Sequence, residues 1–297
     1  MSLNTIEYAK IFQAELDKQL VEGATSGWME ENARQVIYNG GNEIKMPKMS
    51  LQGLGDYDRD SGYVDGAITY SFQTMKLTKD RGRRFRLDAI DVDESGFALA
   101  AANVASEFQR TKVIPEVDAY RYSTLAELAE VKKEYSPAVG SVLSALMSDI
   151  GEISDVTGGE DGLVVTIARP VYDLLMSSSQ IVKHLDISQF KQGEIDFSVK
   201  TINGVPVIPV SSARMKSKYT YLSDGMGGFS PTEDAVSINW IICPKSAPIA
   251  VSKTDNIKII SPEINQFADA WDIDYRKYHD LFLPEQRRSA VAVSLMK

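Results

Sequence analysis

Apolar residues recur along this chain at two spacings, and the change from one to the other marks its elements. Tyr8, Ile11, Phe12, Leu16 and Leu20 fall at helical spacing between 5 and 21, with Glu7, Lys10, Asp17 and Lys18 around the rest of the wheel. That pattern predicts an amphipathic helix capped near Asn4 or Thr5. Asn39-Gly40-Gly41-Asn42 punctuates the chain, and from Glu43 the period becomes two. Ile68, Tyr70 and Phe72 alternate with Thr69, Ser71 and Gln73, which predicts a half-exposed strand. Residues 43–51 are its antiparallel partner, irregular or at an edge because of Pro47. The connection Gln52 to Gly66 is rich in Gly and Asp and carries Tyr57 and Tyr63. Strands of about nine residues would hold that tip roughly 30 Å from its base. Such an arm is marginal alone and needs a surface to lie on.

The helical period returns with Phe97, Ala101, Val104 and Phe108 behind a Ser95 cap. A helix from Ser95 to Lys112 would span about 27 Å. Pro115 is expected to interrupt it and to open a second helix carrying Val117, Tyr120, Leu125 and Leu128. Ser136-Pro137 opens another, with Val139, Val142, Leu143, Leu146, Met147, Ile150 and Ile153 on one face and Gly158-Gly159 at its end. Leu163 to Ala168 predicts a buried strand, and Arg169-Pro170 leads into a short helix through Met176. Around Asn203-Gly204, residues 197–210 predict a hairpin with a type I′ turn. The final third predicts strands over 236–242, 248–252, 257–260, 275–282 and 290–295. Strands, then helices, then strands make the class α+β with mostly antiparallel pairing.

Composition narrows the function without naming it. The 297 residues are 43% hydrophobic and 25% charged, an ordinary globular balance large enough for a sizeable core. A formal charge of −9 argues against a protein that binds nucleic acid electrostatically as a whole. The lone Cys243 cannot close a disulfide within the chain. No segment has the pattern of a signal peptide or of a membrane span, so the sequence predicts a cytoplasmic product.

The search for chemistry returns little. His184 and His279 are the only histidines, far apart and without a cysteine pair, and both read as structural. No nucleophile elbow and no phosphate-binding loop is present. Gly225-Met226-Gly227-Gly228 lacks a following lysine and reads as a mobile loop. Asp56, Asp58 and Asp60 lack the spacing of a calcium loop and read as solvated charge. No catalytic, metal or cofactor site is expected. One charge pattern stands out: Lys79, Arg81, Arg83, Arg84 and Arg86, followed at once by Asp88, Asp91, Asp93 and Glu94. Adjacent blocks of opposite sign suit pairing between copies of one protein, basic edge to acidic edge. Local salt bridging accounts for any single pair equally well. The aromatic residues Trp271, Tyr275, Tyr278 and Phe282 read as core.

Two stretches carry a family likeness. Thr78-Lys79-Asp80-Arg81-Gly82-Arg83-Arg84-Phe85-Arg86-Leu87-Asp88-Ala89-Ile90-Asp91-Val92-Asp93-Glu94, with Ile114-Pro115-Glu116-Val117-Asp118-Ala119-Tyr120-Arg121 after the alanine-rich helix, is the first. Asn265-Gln266-Phe267-Ala268-Asp269-Ala270-Trp271 and Asp274-Tyr275-Arg276-Lys277-Tyr278-His279-Asp280-Leu281-Phe282 form the second. Together they resemble the major capsid proteins of tailed phages and prophages of Gram-positive bacteria, which have the HK97-like fold. Residues 130–235 match only in their run of elements.

The resemblance implies an N-terminal arm over 1–42 and an extended hairpin loop over 43–84 lying on a neighbouring subunit. It implies a peripheral domain over 85–130 and 240–297, with Ser95 to Lys112 as its long spine helix. The axial domain would take 131–239, with Gly225, Met226, Gly227, Gly228 and Phe229 as a candidate loop at its symmetry axes. Candidate inter-subunit contacts are Asp56, Tyr57, Arg59, Tyr63, Arg81, Arg83, Arg84, Arg86, Asp88, Asp91, Asp93 and Glu94. Trp271, Tyr275, Arg276, Tyr278, His279 and Asp280 carry the peripheral motif. Hinges are expected near Gly82 and Gly96. The implied protein is no enzyme: it would form pentamers and hexamers in an icosahedral virion shell, assembled in the host bacterial cytoplasm. Its implied partners are a separate scaffolding protein, a portal and packaged double-stranded DNA touched non-specifically, with no membrane. An encapsulin-like nanocompartment and a tail component are the alternatives, and nothing in the sequence identifies a lysine–asparagine pair for a covalent crosslink.

Overall fold

The computed structural model describes residues 23–38, 41–60, 62–63, 65–89, 104–159, 162–178, 185–192, 195–223 and 225–297. The helix expected over 5–21, the first nine residues of the one expected from Ser95, and Asp91, Asp93, Glu94, Gly96 and His184 lie outside them. A 3-10 turn, Gly27–Gln35, leads into β1 (Ile37–Tyr38), β2 (Glu43–Leu51), β3 (Ile68–Lys76) and β4 (Lys79–Asp88). Within the N-terminal arm expected over 1–42, Trp28 and Met29 are fully buried in the main core, and burying two such large side chains holds this stretch against the body.

Helical residues 104–108 run through a π-turn, Gln109–Val113, into α1 (Ile114–Leu128). The break expected at Pro115 is absent. In a regular helix the proline ring would strike the carbonyl four residues back, and proline offers no N–H. The π-turn absorbs that conflict, because the Ile114 N–H donates to the Gln109 carbonyl five residues back.

β5 (Val131–Glu134) has no hydrophobic signature; it exists because it lies parallel beside β15 (Ala292–Leu295). The Tyr135 N–H extends that pairing by donating to the Leu295 carbonyl at 2.8 Å. Residues 135–138 are therefore outside any helix, a turn follows at 139–141, and the helix expected from Ser136 starts later, as α2 (Val142–Thr157). It ends at Gly158, whose φ of 78° needs a residue without a Cβ.

β6 (Leu163–Ala168) is buried throughout, as its apolar run, broken only by Thr166, predicts. α3 (Arg169–Met176), β7 (Leu185–Gln192), β8 (Ile195–Ile202) and β9 (Val205–Val210) follow. Asn203 (φ 50°) and Gly204 (φ 86°) turn the β8–β9 hairpin, as expected. β10 (Tyr219–Tyr221) and β11 (Phe229–Pro231) form a small hairpin, and then come β12 (Ile238–Pro244), β13 (Ile249–Ile260) and β14 (Ala270–Phe282).

A mixed seven-stranded sheet runs β5-β15-β12-β6-β9-β8-β7, and a three-stranded one runs β13-β14-β4. β12 and β15, expected with the peripheral strands, thus lie in the larger sheet. They are required there, since fully buried β6 needs an antiparallel neighbour on the side away from β9. β14 serves three cores at once: Leu281 in the main cluster, Ile273 and Tyr275 in a second against α1, and Phe282 in a third under the base of β2.

Candidate functional site

The basic run of β4 obeys strand alternation. Odd positions face α1: Phe85 and Leu87 enter the second core, and Arg81 and Arg83 continue the same face past its apolar half. Even positions face outward against β14. Arg84 grips Asp274 (2.5 and 2.7 Å), Arg86 grips Asp272 (2.7 and 2.9 Å), and Arg276 returns the contact to Asp80. The Arg86 hydrogen bonds hold the Asp272 carboxyl below the usual carboxylate range. Arg81 pairs with Glu116 on α1. All five bases of the run therefore have partners inside the subunit: the arginines at Glu116, the Gly225 carbonyl, Asp274 and Asp272, and Lys79 over the Tyr221 ring at 4.0 Å. Asp88 stands exposed at the end of β4. Gly82, expected near a hinge, pairs with Arg276 inside the β4–β14 ladder, where a Cβ would lie 2.7 Å from the Tyr275 carbonyl, so glycine serves a close approach of two strands.

β2 and β3 form a ribbon whose polarity inverts along its length. Opposed residues share a face, and the register sets Ile44 against Met75, Pro47 against Phe72, Met49 against Tyr70 and Leu51 against Ile68. At the root the apolar face is that of Ile44, Met46 and Met75, which covers the third core. Toward the tip the apolar residues lie on the other face: Pro47, Met49, Leu51, Ile68, Tyr70 and Phe72, all exposed, with Ile68 at 71%. Beyond them Asp58 and Gly62 close a small turn (2.8 and 3.2 Å), bringing Tyr57 and Tyr63 edge to face at 4.9 Å. Asp56, Arg59 and both tyrosines are exposed there.

Asp280 fixes the ribbon root. Its carboxylate accepts the Thr78 N–H (2.7 Å) and hydroxyl (2.9 Å) and the Tyr120 hydroxyl, while the Tyr278 hydroxyl donates to the Leu77 carbonyl (3.0 Å). Next to it His279 is buried, its ring edge-on to Tyr120 at 5.5 Å. Burial first, then the charges of Lys277, Arg121, Lys79 and Arg81, push its pKa well below the usual value. The unfolded chain therefore takes up a proton near pH 6.5 that the folded one refuses. Stability is full above that pH and falls as pH drops below it, by up to about 1.4 kcal/mol per unit. Urea midpoints between pH 6.5 and 5 should decline more steeply for the wild type than for His279→Gln, and parallel declines would refute this role.

A second buried polar knot ties the N-terminal stretch to α1. Asp118 accepts from the backbone N–H and hydroxyl of Thr25 (3.1 and 2.9 Å) and of Ser26 (3.1 and 2.5 Å). It also accepts from Arg214 (2.9 Å). Arg121, fully buried, donates to the Ser26 carbonyl and to Glu30. Sequence reasoning missed this knot, although Asp118, Tyr120 and Arg121 fall in the stretch that carries the family likeness.

The loop from Leu222 to Gly228 folds back on β4, with Arg81 donating to the Leu222 and Gly228 carbonyls (3.0 and 3.2 Å) and Arg83 to that of Gly225 (2.6 Å). Gly225 to Phe229, expected as an axial loop, thus packs beside the three-stranded sheet in the isolated subunit. Of the peripheral motif, Trp271 and Tyr275 line the second core, and Tyr275 also donates to Asp255 (2.7 Å). Among the described residues no three His, Cys, Asp or Glu side chains stand together as metal ligands, and no helix is long and apolar enough to cross a membrane. Cys243 is buried, which pushes its thiol up to about 12.

No sequence-family model matches the chain, and no curated protein sequence matches it. Solved structures do. The mature capsid of bacteriophage PhiM1 superposes with a TM-score of 0.59 at 9% identity, over 88% of this chain and 84% of that one. The capsid of cyanophage P-SCSP1u gives 0.58 at 12% identity, over 88% and 85%. A virus-like particle from Pyrococcus furiosus gives 0.56 at 9% identity, over 97% and 99%. The chain has the α+β fold of these shell subunits, end to end across the matched lengths.

Proposed function

We propose that the chain is the repeating subunit of a closed icosahedral shell, the major capsid protein of a tailed phage or prophage, with no catalytic role. The observation that carries this reading is the inverted ribbon. Its root seals the subunit's own core, and its outer half turns six apolar side chains the other way, all of them exposed among the described residues. Monomeric soluble proteins rarely leave such a contiguous patch bare. A neighbouring copy supplies the missing surface, and a ring of such contacts closes on itself, so modest pairwise affinities add up to a durable particle. The exposed tip residues Asp56, Tyr57, Arg59 and Tyr63 would reach the neighbour first. Pentamers and hexamers, a portal, a separate scaffolding protein and non-specific contact with packaged double-stranded DNA belong to this reading, as does assembly in a bacterial cytoplasm.

Negative-stain electron microscopy of the purified chain across a range of salt tests it. Closed shells, rings or curved sheets are the expected result. Monodisperse monomers under every condition, including co-expression with a scaffolding protein, would defeat it. Nucleic acid inside the particles distinguishes a virion from a nanocompartment loaded with protein.

A further inference from the structure

The subunit holds a cleft of about 500 Å³ between β4, the π-turn with the start of α1, and the Leu222–Gly228 loop. Its floor is apolar, made by Phe85, Phe108, Val113 and Val117. Its rim is cationic, and the cations differ in how they are held. Arg81 is committed to Glu116, and Lys277 to Asp255. Among the described residues Arg83 donates only to a carbonyl, that of Gly225, from an exposed position, and Lys112 stands exposed on the π-turn. At the back lies buried His279, whose Nδ1 meets no hydrogen-bonding group among the described residues.

We propose that this cleft docks a short acidic segment of a partner protein, one that sets a carboxylate beside an apolar side chain. The apolar side chain would cover Phe85 and Phe108, and the carboxylate would sit between Arg83 and Lys112. A carboxylate makes a charge-assisted hydrogen bond roughly twice as strong as a neutral carbonyl does, so Arg83 exchanges Gly225 for it and releases the loop. Gly227 and Gly228, both at positive φ, give that loop the backbone latitude to move aside. Nucleic acid fits less well. A phosphodiester chain would carry a charge at every nucleotide past the carboxylates of Asp80 and Glu116 that line the same walls, whereas the proposed segment sets only one between Arg83 and Lys112. The inference is independent of whether the chain builds shells.

Fluorescence anisotropy with a labelled Glu-Leu-Phe-Glu peptide tests it on the full chain. Saturable binding is expected, weakened by about tenfold or more in Arg83→Gln combined with Lys112→Gln, the loss of one charge-assisted hydrogen bond. Arg84→Gln, which removes one charge from the outward face of β4, should bind like the wild type. A Gln-Leu-Phe-Gln peptide should bind poorly, and inorganic phosphate should not displace the acidic one. No binding at millimolar peptide, equal loss in the Arg84 variant, or displacement by phosphate would overturn the proposal. Tighter competition by a short DNA strand would replace it with nucleic-acid binding.

Discussion

Lysine at both Ile68 and Tyr70 should give a subunit that folds as firmly as the wild type and builds no closed particle. Both side chains are more than half exposed and lie on the outer half of the ribbon, away from the body of the subunit. Lysine is a residue that natural edge strands carry, so the ribbon itself should survive. Exposed substitutions of this kind usually change stability by no more than about 0.5 kcal/mol. The penalty falls on association, where each copy would have to bury two charges without partners. Denaturant melting beside electron microscopy reads the two effects separately. Normal particles from the double variant would mean that the apolar stripe is not an interface.

Asp118→Ala should cost about 3–5 kcal/mol of folding stability, the loss seen when one member of a buried charged network is removed. Asp118 is fully buried and receives five hydrogen bonds from three residues, Thr25, Ser26 and Arg214. Removing the carboxylate strands the Ser26 N–H and takes the counter-charge from Arg214. For a domain with 5–15 kcal/mol in total this is a large fraction. Asp118→Asn keeps the shape and one acceptor, so it should fall between the alanine variant and the wild type. A shift in urea midpoint worth under about 1 kcal/mol for the alanine variant would show that the N-terminal stretch is held by Trp28 and Met29 instead.

Elements specified by neighbouring residues were legible in the sequence. The β8–β9 hairpin follows from Asn203-Gly204, β6 from a six-residue run interrupted only by Thr166, and the ribbon from alternation on either side of a Gly- and Asp-rich tip. What depends on distant partners was not. β5 is a strand only because β15 lies beside it, and the 3-10 turn at 27–35 is fixed by Asp118 and Arg121, about 90 positions away. The basic run shows a third kind of miss. Summed along the sequence it is one block of charge, but strand alternation sends Arg81 and Arg83 inward and Arg84 and Arg86 outward. Pairing between copies then has less free charge to work with than the linear count implies. The ribbon's two faces were also hidden, because Ile44 and Met46 look no different in sequence from Met49 and Leu51. Only the root's contact with Phe282 and Val251 reveals where the apolar side changes over.

The order of the large sheet sets a clock on synthesis. β5 emerges from the ribosome with its only strand partner, β15, still some 160 residues from being made. β12 likewise waits with one edge open, and β4 waits for β14. Pairings that span so much chain form late and slowly. The ribbon strands β2 and β3 are therefore made some 200 residues before Val251 and Phe282, the residues that close the core beneath their root.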